Sequence, residues 1–300
     1  MQRLWIYQRA TERGGTPARI GTAGGRYRKN YQVILLLITA LFLPAVALAA
    51  PVQAQHVKVE LLAETNAVAP GESLWVLLTF QPDERWYTSW KNPGDAGAVP
   101  QLSWQLPPGW KAGEPQFPTP GVIHVGERIS YGYQGDSALL VELVPPFLIQ
   151  EKQVQLGLDA SWVVCSGSCV RGEAHFDLSL PVDRFAAIDL KYKKLFAQTR
   201  FKLPLTMNIE GTYRVDGEYI VVDMPARTLP RKVSSIFIAP ALIAQPADLP
   251  EFNYEAKRLQ FRLQRHTDFT EAPAQIEVVL ELAGQGWSIP AKLQAPTAAR

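Results

Sequence analysis

The chain has 300 residues, 47% hydrophobic and 19% charged. That composition excludes disorder and leaves room for one large or two ordinary domains with real cores. The formal net charge is +2, but residues 1–54 hold seven Lys/Arg and one Glu, which leaves 23 basic and 27 acidic residues, −4, for the rest. No basic patch interleaved with aromatics remains there, which argues against nucleic acid as a partner.

The leader comes first. Arg26, Arg28 and Lys29 precede an apolar run of 17 residues, Val33 to Ala49, broken by Pro44. A spanning helix needs about 20 apolar residues, so a cleaved signal peptide is the better reading. Ala47-Leu48-Ala49 and Val52-Gln53-Ala54 both offer the small-x-small pattern of a cleavage site. The long stretch before the apolar run keeps a retained inner-membrane anchor as the alternative, with a buried core segment as a third reading. In the first two readings residues 55–300 face an exported compartment, where disulfides form and persist.

Residues 55–182 read as short strands punctuated by Pro and Gly. Val57 to Leu62, Ser73 to Phe80, Leu139 to Leu143, Val154 to Val164 and His175 to Leu180 are strand candidates. Pro70-Gly71, Pro93-Gly94, Pro108-Gly109 and Pro120-Gly121 mark turns. Many short strands with turns between them argue for a sandwich or barrel. From 183 to 200, Phe185, Ile188, Tyr192, Leu195 and Phe196 recur at helical spacing, which predicts a linker helix or one packed on the first sandwich. Strands resume over 201–295, with a hairpin around Asp216-Gly217-Glu218 and a last turn at Gly284-Gln285-Gly286. Residues 296–300 form a tail that frays. The fold class is all-β, with two β-sandwich domains joined by a short helix.

The chemistry candidate is the pair Cys165 and Cys169, the only cysteines, separated by Ser166-Gly167-Ser168. A hairpin with a three-residue turn would bring their Cα atoms within disulfide reach, about 4.4–6.8 Å. The pair reads as a redox couple or as a structural bridge. Closing so small a loop removes only about 2 kcal/mol of unfolded-state entropy, which a sandwich of this length hardly needs. A metal site is a third reading, for which His175, Met207 and Met224 supply no convincing ligand set.

An ordered set of motifs adds to this. Trp86-Tyr87-Thr88-Ser89-Trp90-Lys91-Asn92-Pro93-Gly94-Asp95-Ala96-Gly97 is followed by Trp104, Leu106-Pro107-Pro108-Gly109-Trp110 and Tyr131-Gly132-Tyr133. Trp162-Val163-Val164-Cys165 to Cys169 then completes the set. Together they resemble the amino-terminal periplasmic region of the DsbD-type thiol:disulfide interchange family, in its ScsB-like branch. Phe237-Ile238-Ala239-Pro240 is a weak local match to the second β domain of that branch. One departure is Val170-Arg171-Gly172-Glu173, where relatives commonly have Ile-Pro-Glu.

The resemblance implies immunoglobulin-like sandwiches and a reductive relay through Cys165 and Cys169, with no bound cofactor or metal. It also implies a cap: the segment Asp83 to Gly97 would shield the pair, with Trp86, Tyr87 or Trp90 near the sulfurs and Tyr131, Tyr133 and Trp162 as further neighbours. The competing reading of all these aromatics is core packing. Lys91 or Arg171 could stabilise a thiolate; Asp95, Glu127 and Asp136 read as solvated carboxylates. The membrane-embedded and thioredoxin-like domains of the family are not in these residues. The expected partners are therefore a separately encoded membrane electron-transfer protein of the DsbD type and oxidised periplasmic thioredoxin-like or disulfide-isomerase proteins. The competing functions are an interaction or chaperone-like module with a structural disulfide, and a periplasmic copper-handling protein.

Overall fold

The computed structural model describes residues 50–226, 233–247 and 249–294. The leader expected over 1–54 lies outside the described residues except for its last five. Of those, β1 (Val52–Ala54) pairs with β2 (Val57–Ala63). Among the described residues no helix is long and apolar enough to cross a membrane.

The first domain continues through β3 (Leu74–Pro82), β4 (Tyr87–Gly94), β5 (Gln101–Gln105), β6 (Lys111–Ala112), β7 (Gly121–Val125) and β8 (Arg128–Gln134). It closes with β9 (Ser137–Val144), β10 (Gln153–Ser166) and β11 (Ser168–Pro181). One sheet has the order β1-β2-β3-β9-β6, the other β11-β10-β4-β8-β7 with β5 also on β10. Their inner faces share one core, from Val57, Leu78 and Leu139 across to Leu156, Leu158 and Trp162. β3 and β9 are apolar on both faces because a helix covers the outer one. There Leu62, Leu77 and Leu140 pack against Phe196, so the period-two signal fades where burial is two-sided.

That helix, α1, spans Lys193–Lys202, shorter than the periodicity over 183–200 predicts. Its expected first turns are diverted: Asn66 N donates to Ala187 O and Asp189 N donates to Glu64 O, both at 2.8–2.9 Å. Backbone groups satisfied by a neighbouring segment do not bond to their own turn, and Phe185 is left 86% exposed. Arg200 fastens the helix to β2's end by donating to both oxygens of Glu64, Nη2–Oε2 2.7 Å.

The second domain contains β12 (Leu205–Thr206), β13 (Gly211–Asp216), β14 (Tyr219–Pro225), β15 (Ser235–Ala239), β16 (Phe252–Glu255), β17 (Arg258–Gln264), β18 (Gln275–Leu282) and β19 (Gln285–Leu293). They form one sheet in the order β15-β18-β19-β13-β14-β17-β16, with β12 beside β19. The sheet curls until Ile236 and Ile238 near one end share a core with Leu259, Phe261 and Leu263 near the other.

Phe237, facing away from that core, enters the first domain's core together with Ala239 and Val279. Its ring meets Trp90 and Tyr131 edge-on, centroids 5.8 and 5.2 Å away. Asn92 Nδ2 donates to Ile238 O at 2.8 Å, and Lys91 pairs with Glu277. The strand β4 is thereby tied to the second domain.

Candidate functional site

β10 and β11 form a hairpin of two 14-residue strands in unbroken register from Gln153↔Pro181 to Ser166↔Ser168. Gly167 makes the turn at φ 75°, a conformation glycine adopts without steric cost. Along β10 the even positions from Val154 to Val164 face the core, so the odd ones, ending in Val163 and Cys165, face outward. Cys169 is opposite Cys165, and the two are joined by a disulfide with Cα atoms 4.1 Å apart. That is slightly under the usual disulfide range and matches the narrow, non-hydrogen-bonded type of antiparallel pair.

The two cysteines have opposite exposure. Cys165 is 1% exposed and packs with Tyr87 and Ile123, flanked by Val125 and Val163. Cys169 is exposed. Tyr87 is the cross-strand partner of Cys165 on β4, and its hydroxyl donates to Ser130 Oγ at 3.1 Å. The β7–β8 hairpin supplies the other wall, and Arg128 Nη2 donates to Gly167 O at 2.9 Å, anchoring the turn between the cysteines. Ile123, Val125 and Arg128 carry no signal in the sequence, because only sheet pairing brings their hairpin beside β10.

Of the aromatics expected around the pair, the structure brings Tyr87 to it. Trp86 instead stacks on His56, centroids 3.9 Å apart and ring planes nearly parallel. Of the expected cap segment, 83–86 and 95–97 are turn or irregular backbone, while Tyr87–Gly94 is a strand inside the sheet. Alternation along that strand sends Trp90 to the inner face, where it is fully buried against Phe237. Tyr131, Tyr133 and Trp162 also lie on the inner side, in or against the main core. Tyr131 exchanges hydrogen bonds with Ala247, Tyr133 donates to Pro118 O at 2.7 Å, and Trp162 sits edge-on to Phe80. Burial without a counter-charge pushes the Tyr133 hydroxyl well above its ordinary value.

The charged candidates separate likewise. Lys91 is engaged by Glu277. Arg171 is exposed and shares the outward face with Cys169, two residues along β11. Asp95 accepts from Ile129 N at 2.7 Å, while Glu127 and Asp136 are exposed. Farther down the outward face, His175 is held between Asp159, 2.7 Å away, and Asp177, 3.3 Å away. The hydrogen bond to Asp159, then that to Asp177, raises the imidazole above its ordinary value. The same bond to His175 lowers Asp159. Among the described residues no group of three or more His, Cys, Asp or Glu side chains is placed to hold a metal ion.

Chemically, the arrangement is a disulfide at a hairpin tip with one covered residue and one facing solvent. Residues 58–181 match the family model for the N-terminal part of the thiol:disulfide interchange protein DsbD. No curated protein matches the chain. The structure is similar to that of the N-terminal periplasmic domain of ScsB from Proteus mirabilis. That likeness has 15% identity and a TM-score of 0.60, over 81% of this chain and 97% of that one. A chimeric titin Z1Z2 follows with 10% identity, 81% and 100% coverage and a TM-score of 0.18. The major pilin subunit BcpA of Bacillus cereus has 7% identity, 79% and 66% coverage and a TM-score of 0.26. Both scores are too low to support a comparison. The first domain, which carries the Cys165–Cys169 pair, thus matches the DsbD N-terminal family over residues 58–181.

Proposed function

We propose that this chain is a periplasmic thiol:disulfide exchange module whose Cys165–Cys169 pair relays reducing equivalents between protein partners. The observation that carries the reading is the asymmetry of the pair: Cys169 exposed, Cys165 covered by Tyr87 and Ile123. Exchange proceeds through a mixed disulfide and needs one reachable sulfur. The asymmetry supports Cys169 in that role and Cys165 as the resolving cysteine.

In the oxidised form a partner thiolate attacks Cys169 Sγ. The Cys165–Cys169 bond breaks, its electron pair leaves on the Cys165 sulfur, and that sulfur takes a proton from water. The partner's second thiolate then breaks the intermolecular bond, so the partner leaves as a disulfide and Cys169 leaves as a thiolate. Reduction of an oxidised client runs the same steps in reverse. Tyr87 acts as a shield for Cys165, confining attack to Cys169. The donor that fits is a membrane electron-transfer protein of the DsbD type, and the clients are oxidised periplasmic thioredoxin-like or isomerase proteins.

The reduction potential of the pair tests this, by equilibration of the exported part of the chain in a thiol redox buffer and alkylation of free thiols. A potential of roughly −120 to −270 mV is that of exchange proteins. A value below about −300 mV is that of a structural disulfide and would sink the relay.

A further inference from the structure

Among the described residues β11 pairs with β10 alone, so one side of a 14-residue strand faces outward. Native sheets seldom leave so long an edge unguarded, since its free N–H and C=O groups are a template for another strand. The register tells which groups this edge offers. Val182 N donates to Lys152 O, an inward bond. Antiparallel ladders alternate, so Val170, Gly172 and Ala174 bond inward too, while the N–H and C=O of Cys169, Arg171 and Glu173 turn outward. Two further observations agree. The 4.1 Å Cα separation at Cys165–Cys169 is that of a non-hydrogen-bonded pair. Pro181, of the same parity, points its carbonyl away from β10 and accepts from Val68 N at 2.9 Å. The far end of the edge is thus covered by the 66–68 segment, and the end beside Cys169 is open.

The disulfide joins directly paired residues across the hairpin, so Cys169 is the half of the bond that lies on the strand with the open edge. A thiolate displaces a sulfur from the side opposite the bond that breaks, so attack on Cys169 comes from over the edge. A residue opposite Cys169 on an added antiparallel strand would lie about 5.5 Å away between Cα atoms, inside the range of about 4.4–6.8 Å for a disulfide.

We propose that the thiol partner docks by strand addition: an extended, cysteine-bearing segment pairs antiparallel with β11 over Cys169–Glu173, its cysteine opposite Cys169. This rests on the exchange reading above and names the recognition element of that site. Cross-strand charge pairing favours an acidic residue opposite Arg171 and a basic one opposite Glu173, hence a segment of the type Lys-x-Glu-x-Cys. The covalent step is the one already written: the intermolecular bond forms at Cys169 as the intramolecular one breaks, and Cys165 takes up the proton.

The test traps the complex without relying on redox activity. A synthetic peptide containing Lys-Thr-Glu-Val-Cys, its thiol activated as a 2-thiopyridyl disulfide, is coupled to Cys169 of the Cys165→Ser protein, with release of pyridine-2-thione; Cys165→Ala serves equally. Amide hydrogen exchange is then read by NMR against the glutathione adduct. The expected result is exchange slowed about tenfold or more at Arg171, unchanged at Val170 and Gly172, and lost when the peptide glutamate is N-methylated. Glu173→Pro, at an edge position where proline is tolerated, weakens the protection while coupling to glutathione proceeds as before. Equal exchange in the two adducts overturns strand docking. Arg171 protection that is already present in the free protein and disappears on dilution overturns it too, in favour of a second copy at the edge. Failure of the relay itself reads out separately, as a potential below about −300 mV in the unmodified protein.

Discussion

At the scale of single residues, the pair is made asymmetric by what touches each cysteine. Tyr87 sits directly across from Cys165 and is itself held by Ser130, so its ring is fixed to the same sheet as the cysteine it packs against. Farther along the hairpin, the Asp159–His175–Asp177 row gives the outward face a titrating group. His175 is raised above 6.5 chiefly by its bond to Asp159. Its contribution to stability is therefore fully present below pH 6.5 and is lost as pH rises through the raised value. Asp159 is lowered from 3.8, so its share is present above that value and lost as pH falls through the lowered one. NMR titration of the His175 ring should show a midpoint above 6.5 that falls in Asp159→Asn and falls less in Asp177→Asn. An unchanged midpoint in Asp159→Asn contradicts this account.

At the scale of elements, two 14-residue strands carry the sulfurs at the tip of their hairpin. Gly172 shows how it is supported. It pairs with Trp162, and a Cβ there would stand 2.5 Å from Trp162 Nε1. The indole fills that space and packs on the core. Gly172→Ala should therefore cost about 1–3 kcal/mol by overpacking, seen as a lower urea midpoint at unchanged m-value. Gly167→Ala meets no neighbour and should cost only about 1 kcal/mol, from its positive φ. Equal losses in the two variants would mean that Trp162 moves aside freely.

At the scale of the whole molecule, β4 joins two functions. One end bears Tyr87, beside Cys165; three residues on, Trp90, Lys91 and Asn92 meet Phe237, Glu277 and Ile238. Phe237 is buried in the first domain's core although it belongs to the second, so neither domain completes its packing alone. Calorimetry of the wild type should give one cooperative transition. Phe237→Ala, which removes a buried aromatic, should cost about 3–5 kcal/mol and separate the unfolding of the two domains. Two transitions already resolved in the wild type would show that the interface is too weak to couple them.

The sequence by itself determined what depends on local chemistry. Turn residues and β-branched runs announced the strands, Ser166-Gly167-Ser168 announced the hairpin tip, and the four-residue spacing announced the disulfide. The ordered aromatic motifs around Cys165 pointed to the right family for residues 58–181. Only the tertiary structure decided which face each aromatic takes. Trp86, Tyr87 and Trp90 are close in sequence, yet period-two geometry and burial on both faces of β4 send only Tyr87 to the sulfurs. Nor could the chain reveal Ile123, Arg128 or Phe237 as neighbours of the site and its support, because strand pairing and domain packing join residues far apart in sequence. The shortened α1 has the same cause: the 183–189 backbone found partners in the 64–68 segment before its own next turn.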